Sequence, residues 1–164
     1  MSLLLGIDPG TATTGYGLIS DERYELDLID YGIISTPPKI PMEKRLLMIY
    51  DRMLELIDLH HPNSCAVEKL FFQRNVTTAI SVGQSRGVVL LSLAQRNIMC
   101  AEYTPLEIKQ AVTGYGVANK KQVQVMVQSI LNMDEIPKPD DAADALAIAI
   151  CHAHSKKLTD LEKH

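Results

Sequence analysis

The sequence predicts an α/β domain built on a mixed five-stranded sheet, an antiparallel meander plus parallel strands, with helices on both faces. Three apolar runs of strand length follow one another within residues 3–35, separated only by short turns. Two further apolar runs, at 64–68 and 98–103, each follow a long helical pattern. Strands joined by short turns pair antiparallel and strands joined through a helix pair in parallel, so this order predicts a mixed sheet.

The first three strands are expected to form the meander. Leu3 to Asp8 is an apolar run that stops at Pro9-Gly10, a strong turn signal. Thr14 to Ser20 and Tyr24 to Ser35 follow it, with a polar turn at 21–23 between them. Such short connections join neighbouring strands, so these three should pair in sequence order.

Helical patterns connect the two remaining strands. Apolar residues at helical spacing predict a helix from Met42 to Leu59, and a second helix is expected from Asn75 to Arg96. The fourth strand, Ser64 to Glu68, and the fifth, Ile98 to Tyr103, come directly after these helices. The crossover through the first helix should bring the fourth strand beside the first.

The last third of the chain is predicted to be helical. Thr104-Pro-Leu-Glu107 and Asn119-Lys-Lys-Gln122 both have the form of a capping box at a helix N-terminus. A glycine-rich loop from Thr113 to Ala118 lies between them. After Pro139, a final helix is expected from about Asp140 to His154.

Composition is that of one globular domain. Of 164 residues, 46% are apolar and 22% charged, which predicts a single domain over residues 1–157 and a polar C-terminal tail at 158–164. No apolar run reaches the roughly 18 residues that a membrane helix requires, and the N-terminus lacks the basic start and cleavage site of a signal peptide, so a cytoplasmic protein without a membrane partner is expected. Free thiols are expected for the three separated cysteines, Cys65, Cys100 and Cys151.

Charge leaves a nucleic-acid partner open. The formal net charge of -4 argues weakly against a polyanion, but net charge says little when acids and bases are segregated. Acids crowd residues 21–30, whereas bases fall in the central part of the chain: Lys69, Arg74, Arg86, Lys109, Lys120 and Lys121.

Three aspartates begin the otherwise apolar final helix. Side chains three or four positions apart share a helix face, so Asp144 can meet either Asp141 or Asp140. A capping role near the helix N-terminus would explain Asp140, but it explains Asp144 poorly because that residue lies a full turn further in. A bound cation would relieve the repulsion between two carboxylates on one face.

Two more acids end strands that are predicted to be neighbours. Asp8 ends the first strand and Glu68 ends the fourth, where sites of open sheets gather. Together with the helical pair they would form a set of oxygen ligands that suits Mg²⁺ or Mn²⁺. Two such ions about 3.5 to 4 Å apart stabilise in-line displacement at phosphorus, which points to phosphodiester chemistry. Singly, Asp8 could cap the Pro9-Gly10 turn and Glu68 could be a surface acid.

Four segments in order resemble one known family. LLGIDPGTATTGYGLIS, AVEKLFFQRN, GQSRGVVL and DDAADALAIAI are similar to the RuvC family of Holliday-junction resolvases, and the resemblance runs from Leu4 to His154. It implies an RNase H-like nuclease domain and a homodimer. It further implies symmetric, Mg²⁺-dependent nicking of four-way DNA junctions in recombination and repair, with two Mg²⁺ per active site, Mn²⁺ as a substitute, and RuvA and RuvB as branch-migration partners.

The resemblance also assigns site residues. Carried over by position, the catalytic and metal-binding acids fall on Asp8, Glu68, Asp141 and Asp144, which leaves Asp140 as the helix cap. Periodicity alone equally allows the pair formed by Asp140 and Asp144.

The family's DNA-binding residues fall on Lys109, Lys120 and Phe71. Phe71 and Phe72 directly follow Glu68 and Lys69, and aromatics beside bases suit stacking on unpaired nucleobases. The two lysines flank the 113–118 loop, where they could meet phosphates. Solvated lysines and core phenylalanines are the structural alternatives.

The final helix and the second helix carry two further patterns. His152 and His154 point to different helix faces, so one is a candidate to approach the carboxylates while the other packs. Gly83, Gly87 and the apolar run 88–93 would let two long helices approach across a two-fold axis, or would simply fill the core.

Two other functions compete with the nuclease. GIDPGT also resembles the first phosphate loop of the actin, sugar-kinase and chaperone ATPases, but those need a second lobe and a second phosphate loop that this sequence lacks. A non-catalytic RNase H-like module that only binds nucleic acid would be expected to have lost its carboxylates, whereas all four are present.

Overall fold

The five strands form one mixed sheet in the order β3-β2-β1-β4-β5. The computed structural model describes residues 1–70 and 76–162. The strands are β1 (Ser2–Asp8), β2 (Thr13–Glu22), β3 (Glu25–Ser35), β4 (Ser64–Glu68) and β5 (Cys100–Tyr103). β2 pairs antiparallel with β1 and β3, and β4 pairs in parallel with β1 and β5. The predicted meander and the predicted placement of the fourth strand beside the first are confirmed.

Five helices cover the two faces of this sheet. They are α1 (Met42–His60), α2 (Val76–Gln95), α3 (Pro105–Thr113), α4 (Lys120–Ile130) and α5 (Asp140–Glu162). Both predicted capping boxes are present at the N-termini of α3 and α4. α1 and α2 pack on one face with the apolar side chains of β1 and β4, and α3, α4 and α5 pack on the other.

Three predicted element ends were wrong, and the first is that of β2, which continues to Glu22 rather than stopping at Ser20. The final helix ends at Glu162 rather than near His154, because its last turns continue past the sheet and contact the β2–β3 region, where Lys157 pairs with Asp21 at 3.7 Å. Residues 158–162 are therefore helical. β5 begins at Cys100 rather than Ile98, since the Ile98 amide bonds the Leu93 carbonyl and so belongs to the turn that closes α2.

The helix α5 lies directly against the backbone of β1 and β2. A Cβ atom on Gly15 would lie 1.9 Å from the Asp141 carbonyl oxygen, and one on Gly6 would lie 2.1 Å from that of Ala145. Only glycine permits such an approach. The first turns of α5 are consequently held beside the carboxyl end of β1.

The helix α2 is apolar yet largely uncovered. Within the described residues its fully buried positions are few: Ser85, Val89, Ser92 and Leu93. By length and composition alone the helix could span a membrane, so the expectation that no apolar stretch is long enough was wrong. Core helices of soluble proteins also have this length and composition, so these two properties are weak evidence for a membrane span. Burial in the core does not account for the exposed apolar side chains of α2, because few of its residues are buried.

Candidate active site

Three aspartates converge at the carboxyl end of β1. Asp8 ends β1, and Asp141 and Asp144 project from the first two turns of α5. One carboxylate oxygen from each lies within 4.8 Å of the others. Asp141, rather than Asp140, is the partner of Asp144 in this cluster.

Glu68 lies beside the three aspartates at the end of the neighbouring strand. Its charge is one of those that raise the pKa of Asp8. Glu68 and Asp144 also line a common cavity of about 280 Å³, which reaches between α3, α4 and α5. The topology explains this meeting, because β1 and β4 run in parallel and end at the same edge of the sheet.

Burial and mutual repulsion raise the pKa values of Asp8, Glu68 and Asp144. Burial, followed by the charges of Asp144, Asp141 and Glu68, raises the pKa of Asp8 to about 8. The pKa of Glu68 is raised by burial and by Asp144, and is partly lowered again by Lys109. Burial also raises the pKa of Asp144, against the opposing effect of Lys120. Four carboxylates in this position therefore lack sufficient positive charge from the protein.

The donor set fits a hard divalent cation. All four candidate ligands are carboxylates, and no histidine or cysteine belongs to the cluster found among residues 1–70 and 76–162. Mg²⁺ and Mn²⁺ prefer oxygen ligands, whereas zinc prefers nitrogen and sulfur. A cation would also supply the charge that the half-buried acids need.

Asp140 differs in role from its two neighbours. It is the first residue of α5 rather than the residue that caps it, so the expected capping role was wrong. Its carboxylate is exposed, lies 3.3 Å from the Lys120 ammonium and accepts a hydrogen bond from Gln124 Nε2 at 3.1 Å. These contacts tie the start of α5 to α4.

The two predicted DNA-binding lysines occupy the same cavity as the acids. Lys109 of α3 and Lys120 of α4 both line it, together with Glu68 and Asp144. Lys120 Nζ lies 3.6 Å from the Asp144 carboxylate as well as near Asp140, so its charge is shared with the acidic cluster. Phe71, the third predicted DNA contact, lies outside the described residues.

The histidines of α5 do not approach the carboxylates. His152 is buried, and its ring nitrogens hydrogen-bond Ser64 Oγ and the Tyr103 hydroxyl, each at 2.8 Å. Burial lowers the pKa of His152 to about 4, so the ring is neutral. His154 Nδ1 bonds the Ala111 carbonyl at 2.9 Å. The expectation that one of them would reach the acids was wrong, because both lie two or three turns beyond Asp144.

Arg86 supports the site and was not assigned a role from the sequence. From α2 its guanidinium donates to the Glu68 backbone carbonyl at 2.9 Å and pairs with Glu102 on β5. These bonds hold the end of β4 from the face of the sheet that α2 covers. The signal available in the sequence was that Arg86 is the single charged residue of α2.

Comparison with known proteins identifies the family. Residues 4–152 match the family described as crossover junction endodeoxyribonuclease RuvC. The chain belongs to the RuvC family. A crossover junction endodeoxyribonuclease RuvC of Desulfitobacterium hafniense (strain DSM 10664 / DCB-2) is 59% identical over 156 residues, which cover 95% of this chain and 94% of the relative.

Solved RuvC structures share the fold. The structure of Thermus thermophilus RuvC matches with a TM-score of 0.89 at 35% identity and covers 96% of both chains. T. thermophilus RuvC in complex with Holliday junction substrate matches with a TM-score of 0.88 at 33% identity, again over 96% of both chains. The fold of this RuvC-family chain is RNase H-like, as the resemblance implied. A whole-chain match to a nuclease family leaves the ATPase-fragment and binding-only alternatives without support.

Proposed function

We propose that the chain is a divalent-metal-dependent endodeoxyribonuclease that resolves Holliday junctions by symmetric phosphodiester hydrolysis during DNA recombination and repair. The convergence of acids from β1, β4 and α5 carries this proposal: Asp8, Asp141 and Asp144 form one cluster, and Asp144 shares a cavity with Glu68. Membership of the RuvC family supports the same chemistry.

In this proposal Asp8, Glu68, Asp141 and Asp144 are the catalytic residues and hold two Mg²⁺, for which Mn²⁺ can substitute. When bound, the ions supply charge that stabilises the attacking and leaving oxygens of an in-line displacement. The chain's own contribution is rigidity. Gly15 fixes α5 against β2, and Arg86 fixes the end of β4, so the ligands are held before the substrate arrives.

Junction DNA is proposed to lie across the mouth of this cavity. Lys109 forms no ion pair within residues 1–70 and 76–162, although its charge opposes the rise in the pKa of Glu68, and it is therefore available to a phosphate near the acids. Lys120, whose ammonium contacts Asp140 and Asp144, would contact a second phosphate beside the acids. Phe71 is proposed to stack on an unpaired base at the crossover.

The active species is proposed to be a homodimer formed through α2. The exposed apolar residues Val76, Ile80 and Leu91 share one face of this helix, because the spacings between them are close to whole numbers of helical turns. Gly87 lies on the same face with open space beside it, so a second helix can approach closely. A two-fold dimer presents two identical sites to a substrate that must be cut twice.

The setting of the reaction is proposed from the family. We infer a single nuclease domain that includes the whole of α5, a cytoplasmic location, and cooperation with RuvA and RuvB. The RuvC names of the relatives support this setting.

A cleavage assay tests the proposed function. Purified protein is incubated with a synthetic four-way junction or a linear duplex of the same sequence, in Mg²⁺, Mn²⁺ or EDTA, and ATP hydrolysis is followed in parallel. We expect paired nicks in the junction with either metal, none with EDTA or with Asp144→Asn, and no ATP turnover. Equal cutting of the linear duplex would contradict junction specificity, and cutting in EDTA would contradict the metal requirement.

A further inference from the structure

A second cleft lies next to the cavity of the acids, on the other side of α4. It has a volume of about 350 Å³ and is bounded by Tyr115 from the 113–118 loop and by Lys121 and Val125 from α4. We call it the Tyr115 cleft. The first turn of α4 divides the two sites, because Lys120 lines the cavity of the acids and Lys121 lines the Tyr115 cleft.

The loop holds Tyr115 in a fixed exposed position. Thr113 Oγ1 accepts a hydrogen bond from the Tyr115 amide at 3.1 Å, and the Tyr115 carbonyl accepts one from the Ala118 amide at 3.1 Å. Gly114 is in the left-handed region at φ 74°, and Gly116 packs so closely on Leu106 that a Cβ atom would lie 2.6 Å from its side chain. The backbone is thus ordered, while the Tyr115 side chain is 57% exposed.

Lys121 is an available cation at this cleft. Within residues 1–70 and 76–162, its ammonium makes no ion pair, and the Tyr115 hydroxyl makes no hydrogen bond. Lys120, the neighbour of Lys121, in contrast forms ion pairs with Asp140 and Asp144. A chain of net charge -4 therefore presents a free lysine, an aromatic ring and an apolar wall together beside its acidic site.

We propose that the Tyr115 cleft binds the sugar–phosphate backbone of the duplex arm that adjoins the cleavage site. Lys121 contacts a phosphate, and Tyr115 and Val125 pack against deoxyribose. The inference rests on the proposed junction cleavage. The position of the cleft beside the proposed DNA-binding cavity favours DNA over a protein as its occupant. A strand with one phosphate at Lys120 reaches Lys121 by crossing the N-terminus of α4. A helix N-terminus also favours phosphate.

Binding assays with four-way junctions of different arm lengths test this inference. The variants are Tyr115→Ser and Lys121→Gln, with matched controls Tyr24→Ser, whose side chain is exposed in the β2–β3 turn, and Lys39→Gln, which is exposed before α1. Affinity for four-way junctions is measured by fluorescence anisotropy in EDTA, over a range of salt concentrations and arm lengths.

Each cleft variant should weaken binding to long-armed junctions about three- to tenfold, and the controls should not. Lys121→Gln should also lower the salt slope by about one, whereas Tyr115→Ser should leave it unchanged. Both losses should disappear as the arms are shortened, which a misfolded variant would not show.

Wild-type affinity and slope in both cleft variants on long arms would overturn the inference and leave a protein partner as the occupant. Failure of the wild-type protein itself to cut junctions would instead overturn the proposed function. The two failures are therefore distinguishable.

Discussion

The ionisation of Asp8 depends on its burial and on its acidic neighbours. Its pKa is raised to about 8, first by burial and then by Asp144, Asp141 and Glu68. Without a cation the folded chain binds a proton more readily at Asp8 than the unfolded chain does. This group therefore lowers stability as the pH rises from about 4 towards 8.

Replacement of Asp8 by Asn should for this reason stabilise the metal-free protein. In EDTA at pH 7.5 we expect Asp8→Asn to raise the free energy of unfolding by at least about 1 kcal/mol, with a smaller gain at pH 5. Mg²⁺ should stabilise the wild type and have less effect on the variant. Urea unfolding with and without Mg²⁺ measures both, and a destabilised variant in EDTA would contradict the repulsion argued here.

Adjacent aspartates at the start of α5 provide a matched pair of variants. Asp141 belongs to the convergent cluster, whereas Asp140 contacts Lys120 and Gln124 at the surface. We expect Asp141→Asn to reduce junction cleavage by more than about 100-fold while binding in EDTA is retained. Asp140→Asn should stay within about threefold of wild type. The reverse order would place the catalytic pair at Asp140 and Asp144.

At the scale of elements, glycines decide where α5 lies. A Cβ atom at Gly15 would collide with the Asp141 backbone, and the nearest atom is main chain that cannot move aside locally. Gly32 on β3 is a control, because a Cβ atom there meets the end of the Tyr16 side chain at 2.9 Å, which can rotate.

We expect Gly15→Ala to cost about 2 to 3 kcal/mol of stability and to reduce cleavage even where the protein remains folded, because the acids shift with the helix. Gly32→Ala should cost less than about 1 kcal/mol and leave cleavage unchanged. Urea unfolding and single-turnover cleavage measure the two effects. Equal loss in both variants would mean that α5 is not positioned by its contact with β2.

The sequence predicted elements and their order well where local signals were strong. The capping boxes at Thr104 and Asn119 marked two helix starts, and Pro9-Gly10 marked the end of β1. Periodicity alone did not decide between Asp140 and Asp141, since both lie within reach of Asp144 on a helix. The decision depends on how α5 packs against Gly15, which is a tertiary contact.

Contacts between distant segments could not be predicted from the sequence either. The bonds of His152 to Ser64 and Tyr103 join residues 88 and 49 positions apart, and no local pattern signals them. The end of α5 was missed for a similar reason, because its last turns are polar and helical periodicity fades there.

At the scale of the whole molecule, contacts within one chain do not explain the exposed apolar face of α2. Ile80 is 57% exposed at the middle of that face, and Leu158 is 64% exposed near the end of α5. We expect Ile80→Asp to convert a dimer into monomers, since a buried unpaired charge opposes association, and Leu158→Asp to have no such effect. Sedimentation velocity measures the change, and a dimer that tolerates Ile80→Asp does not use this face.

The symmetry of the substrate would give the proposed homodimer its function. One set of four acids can cut one strand, but resolution of a four-way junction into two intact duplexes requires two cuts placed symmetrically. An isologous dimer repeats its site about a two-fold axis that the junction can share. The two cuts should therefore depend on two competent subunits.

Mixed dimers test this dependence directly. A tagged heterodimer of one wild-type subunit and one Asp8→Asn subunit, purified from both homodimers, is assayed on a junction that cannot branch-migrate. We expect wild-type binding but nicked junctions in place of resolved duplexes, because only one site retains its full set of acids. Wild-type homodimer taken through the same mixing and purification steps is the control. Release of paired, ligatable duplexes at the wild-type rate would show that one site makes both cuts and would contradict the two-site mechanism.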